Sequence, residues 1–227
     1  MSLLLLAATL AVAAEPVASF DSAQQAAQTV AEQSQTGTLI FSRGDCLAIK
    51  VFGGGPYTHV GAVVVEDGKA TVYDCMPGKG VRKQSLEDFL ESQDPDVIHV
   101  AHLKQAMTEE QGRAFVEHLE SELGRPYAVK HHLTGQRAEG IHCSEYTTDA
   151  LMACNLLHAN HPSRVSPASL AEGIFRDELY APAQTFVIAP AIAEETEPHN
   201  RCHQLWLDTK TCTANCCVKM RRLFLCR

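Results

Sequence analysis

Residues 55–75 read "GPYTHVGAVVVEDGKATVYDC": an apolar run, a polar turn and a second apolar run. The Asp67-Gly68 dipeptide at the turn fits a two-residue type I′ connection, the strongest short-range hairpin signal. That turn predicts two antiparallel strands in which Glu66 faces Lys69 and Gly61 faces Asp74. Period-two alternation then makes His59 the diagonal neighbour of Asp74 on one face of the sheet. A polar imidazole at the mouth of "VGAVVV" is therefore set beside a carboxylate.

The remaining pattern supplies helices and further strands. "DSAQQAAQTVAEQSQTG" (21–37) reads as a helix capped by Asp21 or Ser22 and stopped by Gly37. "TLIF" (38–41) reads as a strand, "GDCLAIKVFGGG" (44–55) as a short helix closed by glycines, and "MPGKG" (76–80) as a loop. "SLEDFLESQ" (85–93) is a short helix capped by Ser85, and "DVIHVAHL" (96–103) a strand. "TEEQGRAFVEHLESELG" (108–124) is an amphipathic helix with Thr108 as cap and glutamates in its first turn. In "GIHCSEYTTDALMACNLLHAN" (140–160), Cys143, Tyr146, Thr147, Ala150, Leu151, Cys154 and Leu157 form a helical stripe. Cys143 then stands at the first turn with its side chain toward the core. "SPASLAEG" (166–173) is a turn and short helix, and "QTFVIAPAI" (184–192) a last strand. The order is that of an α+β fold, an antiparallel sheet with helices packed against one side.

Composition narrows the class. At 227 residues, with 45% apolar and 20% charged residues, the chain suits one well-filled domain. A net charge of -8 argues against nucleic acid as a partner, which needs a clustered basic surface. "MSLLLLAATLAVAAEP" has an apolar core followed by Ala11 and Ala13 at the spacing signal peptidase prefers. Residues 1–14 are therefore expected to be a signal peptide, 15–193 the functional domain, and 194–227 a Cys-rich, basic tail. The signal peptide sets the expected location as periplasmic or secreted, and no apolar run reaches the length of a membrane span. Five of the nine cysteines (Cys202, Cys212, Cys216, Cys217, Cys226) crowd the tail. Together with His203 they lack a CxxC knuckle, so neither a metal nor another cofactor is expected.

Cys143 completes a reactive set with His59 and Asp74. A sulfur at a helix start lies at the positive end of the helix dipole, which favours the thiolate, and a nearby imidazolium favours it further. The backbone N–H of Cys143 would serve as one donor to an oxyanion. The residues alone leave the bland readings open: an inert thiol on a helix stripe, a strand-end histidine and a loop-entry carboxylate.

Four segments, "YTHVGAVVV" (57–65), "VYDCMPGKGV" (72–81), "GRPYA" (124–128) and "HCSEYTTDAL" (142–151), occur in that order. This set resembles the circularly permuted branch of the NlpC-type papain-like superfamily, the YiiX/YaeF-like cysteine amidases and peptidases. The resemblance spans roughly residues 36 to 190 and implies a permuted papain-like fold in which the histidine strand precedes the cysteine helix. It implies Cys143 as nucleophile, His59 as base and Asp74 as the polar third residue, a position where relatives tend to have glutamate. Tyr57 is a further candidate, for oxyanion binding. Glu145 is expected to support the helix start, and His142 to be an exposed residue at that start. The implied substrate is a peptide or a cell-wall fragment carrying an amide. Two other readings fit the same residues: a lipid acyl hydrolase or acyltransferase acting on a lipid-like amide or ester, and a non-catalytic binding module.

Overall fold

The computed structural model describes residues 17–42, 55–93, 95–128, 134–135, 137 and 139–188. The expected signal peptide, the helix at 44–55 and the tail at 194–227 lie outside these residues, Gly55 apart. The described strands form one seven-stranded sheet in the order β1-β7-β6-β2-β3-β4-β5. They are β1 (Val17–Phe20), β2 (Leu39–Ser42), β3 (His59–Glu66), β4 (Lys69–Met76), β5 (Gly80–Ser85), β6 (Val97–Ala101) and β7 (Gln184–Ile188). All neighbours pair antiparallel except β1 and β7, which run parallel.

The β3–β4 hairpin has the predicted register, from Ala62 opposite Tyr73 to Glu66 opposite Lys69. Its turn residues Asp67 and Gly68 have φ of 49° and 75°, the positive values a type I′ turn demands. Two strands go beyond the sequence expectation. β1 lies just after the apolar leader, and β5 carries "GVRKQS", whose charged residues suit an edge strand but hide the strand pattern.

Helices cover both faces of the sheet, a correction to the one-sided packing expected. On one face lie α1 (Ala23–Gln33) and α2 (Leu86–Gln93), burying Ala26, Val30, Phe89 and Leu90 against Ile40, Val63, Val72 and Ile98. The alternate residues of the same strands, Ala62, Val64, Tyr73 and Cys75, meet α3 (Glu109–Ser121), α4 (Cys143–Ala153) and α5 (Pro167–Arg176) on the other. Sequence-encoded caps begin these helices: Ser22 on α1, a Thr108/Gln111 capping box on α3 and a Ser166/Ser169 box with Pro167 on α5. α4 differs, because every residue from Cys143 to Leu151 is buried. It is a central helix wedged between the sheet and α3 and α5, so its polar residues need partners inside the protein.

Candidate active site

His59 is the first residue of β3 and Cys143 the first of α4. Alternation sends His59 and Asp74 to the face covered by α1 and α2, whereas Cys143 belongs to the opposite core. The two sides meet at the end of the sheet, along the line where Ser42 pairs with His59 and Met76 pairs with Gly80. There the imidazole and the sulfur come close enough for each to bear on the other.

The other side of the ring is fixed. Nε2 of His59 donates to Oδ2 of Asp74 at 2.9 Å, which leaves Nδ1 for the sulfur. Phe89 of α2 stacks on the ring, and this approach depends on Gly61. A Cβ there would meet Val72 at 2.8 Å and the Phe89 ring at 3.0 Å. Burial by itself would lower the basicity of His59. The interaction with Cys143 and the hydrogen bond and charge of Asp74 together overcome it, raising the pKa from 6.5 to about 10. Asp74 has no solvent exposure, and burial would raise its pKa. Its contacts with His59 and Arg82 prevail and hold it below the ordinary carboxylate range.

His59 and Asp74 thus come together as the hairpin register predicted, and the start of α4 brings Cys143 to them. Four further residues went unassigned in the sequence. Arg82, directly opposite Asp74 on β5, donates Nε to Oδ1 at 2.8 Å and Nη2 to Oδ2 at 3.2 Å, and Gln84 adds a bond to Oδ1 at 3.3 Å. Tyr127, bridged to Ile141 just ahead of the helix, feels the sulfur as well. Burial first, then the nearby sulfur of Cys143, push its phenol upward, so it stays a protonated donor. Cys75 is buried and donates to the carbonyl of Ile141 at 3.2 Å. Burial, then the charges of Cys143 and Asp74, raise its pKa and keep it a thiol.

His142 is buried, contrary to the exposed position expected for it. Its Nδ1 accepts the backbone N–H of Glu145 at 3.3 Å and so caps α4, while Nε2 donates to the carbonyl of Ser163 at 3.0 Å. Glu145 is fully buried, 3.5 Å from Nε of Arg137 and 3.7 Å from Nε2 of His142. Arg137 also bonds Asp149 one turn further on, at 2.5 Å. Tyr57 packs its ring against Phe41 and His99, with centroids 5.1 and 5.3 Å apart. Among the described residues no group of three or more His, Cys, Asp or Glu side chains is placed to hold a metal ion.

A family model described as "Permuted papain-like amidase enzyme, YaeF/YiiX, C92 family" matches residues 33–172. A solved structure, the metalloprotein yiiX from Escherichia coli O157:H7, is 19% identical with a TM-score of 0.48, covering 70% of this chain and 92% of its own. No curated protein matches.

Proposed function

Since this chain belongs to the permuted papain-like amidase family, YaeF/YiiX, C92, and is a cysteine-type amidase, we propose that Cys143, His59 and Asp74 carry its chemistry. The observation behind this reading is the single imidazole held between a sulfur on one side and a buried carboxylate on the other. The Cys143 sulfur attacks the carbonyl carbon of an amide, and the new oxyanion lies against the backbone N–H of Cys143. At the first helical position that N–H has no acceptor within the helix. The protonated Tyr127 phenol is a second donor candidate. His59 delivers its proton to the leaving amine as the tetrahedral intermediate collapses to a thioester. It then takes a proton from the water that attacks the thioester, and releases it to the sulfur as the acid product leaves. Asp74 keeps the imidazole oriented and stabilises its charged form.

The substrate this favours is a peptide-like amide, of the kind found in peptides and cell-wall fragments. The leader-like residues 1–14 favour an exported enzyme, and N-terminal sequencing of the protein recovered from the periplasm or medium tests that. The chemistry is tested by incubating wild type and Cys143→Ala with peptide amides and, in parallel, long-chain acyl esters. Wild-type release of amine that disappears in Cys143→Ala supports the reading. Turnover of acyl esters alone would move the assignment to lipid chemistry, and undiminished amide cleavage by Cys143→Ala would end it.

A further inference from the structure

Asp74 is shared. Its two oxygens receive one bond from His59, two from Arg82 and one from Gln84, and among the described residues it is the only acidic side chain bonded to His59 or Arg82. Arg82 is itself held. Its Nη2 donates to Oγ of Ser92 at 3.0 Å and lies 3.3 Å from Sδ of Met76, so α2, β4 and β5 all fix the guanidinium. Its side chain keeps 17% exposure, whereas Asp74 keeps none. An aspartate is one methylene shorter than a glutamate, so reaching the imidazole leaves it little freedom. A fork of two parallel donors removes most of what remains, by fixing the carboxylate plane as well as its position.

We infer that Arg82 is a positioning residue of the active site: its bidentate grip sets the plane and the charge of Asp74, and through Asp74 the orientation of the His59 ring toward Cys143. The inference rests on the proposed roles of Cys143, His59 and Asp74. Arg82 touches neither the sulfur nor the ring. It acts on the acceptor behind the ring, and does so from a strand that exists to carry it there: Arg82 stands opposite Asp74 in the β4–β5 ladder. The described groups facing this carboxylate are His59 from β3 and Arg82 and Gln84 from β5; α2 contributes the neutral Ser92 and Gln93 near Arg82 and Met76. Arg82 is thus the one permanent positive charge bonded to Asp74. Without it the buried carboxylate retains its charge less readily and turns more freely, and the imidazolium loses support.

The experiment alkylates the intact protein with iodoacetamide from pH 5 to pH 9 and assigns label to Cys143 or Cys154 by fragment-ion mass spectrometry of the tryptic peptide 138–164, which carries both. Wild type, Arg82→Lys and Arg82→Gln are compared, with Cys154 as the buried internal reference. In wild type Cys143 is expected to react far faster than Cys154 at pH 6. In Arg82→Gln the Cys143 profile is expected to move about one pH unit upward, a loss of about tenfold at pH 6. Arg82→Lys keeps the charge without the fork and is expected to fall between the two. Thermal melts of the three proteins show whether folding is retained, and if Arg82→Gln does not fold, Arg82→Lys carries the comparison. A purely structural bridge would lower the melting temperature and leave the profile in place. Wild-type profiles in the folded variants, with fast wild-type labelling, overturn the role of Arg82 alone. Wild-type Cys143 labelling no faster than Cys154 overturns the proposed site itself.

Discussion

The rings of His59 and Phe89 lie 5.9 Å apart, centroid to centroid, with 28° between their planes. Phe89 has no solvent exposure and belongs to the core between the sheet and α2, so the imidazole is held by the same packing that holds the helix. Truncating Phe89 therefore acts on both stability and site. Phe89→Ala is expected to cost about 3–5 kcal/mol, read as a drop in the urea midpoint without a change in slope. Phe89→Leu retains most of the volume, and its surviving folded protein isolates the effect on the ring. Full wild-type amide turnover in Phe89→Leu would show that the stack is not needed to hold His59.

Asp74→Asn tests the charge behind the ring separately from its shape. The amide keeps one acceptor oxygen for His59 and loses the negative charge that supports the imidazolium and balances Arg82. Removing one partner of a buried pair costs about 3–5 kcal/mol, and the partial exposure of Arg82 puts the expected loss near the lower figure. Turnover is expected to fall by at least about tenfold, since one unit of lost imidazole basicity has that effect on a rate limited by the charged pair. Calorimetric melts and amidase assays on the same preparation separate the two losses. An Asp74→Asn enzyme with unchanged turnover would remove the carboxylate from the catalytic set.

How much of this site the sequence discloses depends on which local signal positions each residue. Asp67-Gly68 fixes the hairpin register, and the register alone makes His59 and Asp74 diagonal neighbours, so that half of the site is legible. The capped helix beginning at Cys143 is legible for the same kind of local reason. Arg82 is not, because β5 is an edge strand of mixed polarity after a glycine-rich loop, and pairing with β4 rather than propensity makes it a strand. His142 reads as solvent-facing, and the burial of Glu145 and Asp149 goes unread, for a different reason. A helix with polar residues on one side ordinarily turns that side to water. Here α4 is enclosed all round, and Arg137, Ser163 and the helix's own backbone supply the polar partners. No pattern internal to residues 143–153 reports where those partners come from.

The cap on α4 is made by the residue next to the nucleophile. Nδ1 of His142 accepts from the Glu145 N–H only when that nitrogen is unprotonated, and Nε2 donates to Ser163, which assigns the neutral ring with its proton on Nε2. His142→Ala removes an N-cap acceptor and is expected to cost about 1 kcal/mol, with His142→Asn recovering much of it. Urea titrations of the three proteins at pH 7.5 provide the comparison. Equal midpoints for wild type and His142→Ala would mean that the imidazole does not cap the helix.

The pH dependence of stability follows from the direction of the two shifts. His59 has its folded pKa raised from 6.5 to about 10, so its charged form contributes stability that is fully present below pH 6.5 and is lost as pH rises through about 10. Asp74 shifts the opposite way, so its contribution is present above the ordinary value of 3.8 and is lost as pH falls below it. Both contributions are therefore complete between these limits, and the alkaline limb belongs to the imidazole. His59→Gln removes that limb while leaving a polar group of similar reach. The difference in urea midpoint between wild type and His59→Gln is expected to be largest near pH 6 and to shrink steadily toward pH 10. A difference that stays constant across that range would mean that His59 carries no proton in the folded protein beyond its ordinary share. The pair with Cys143 would then be neutral, and the sulfur would need the base to act within each turnover rather than before it.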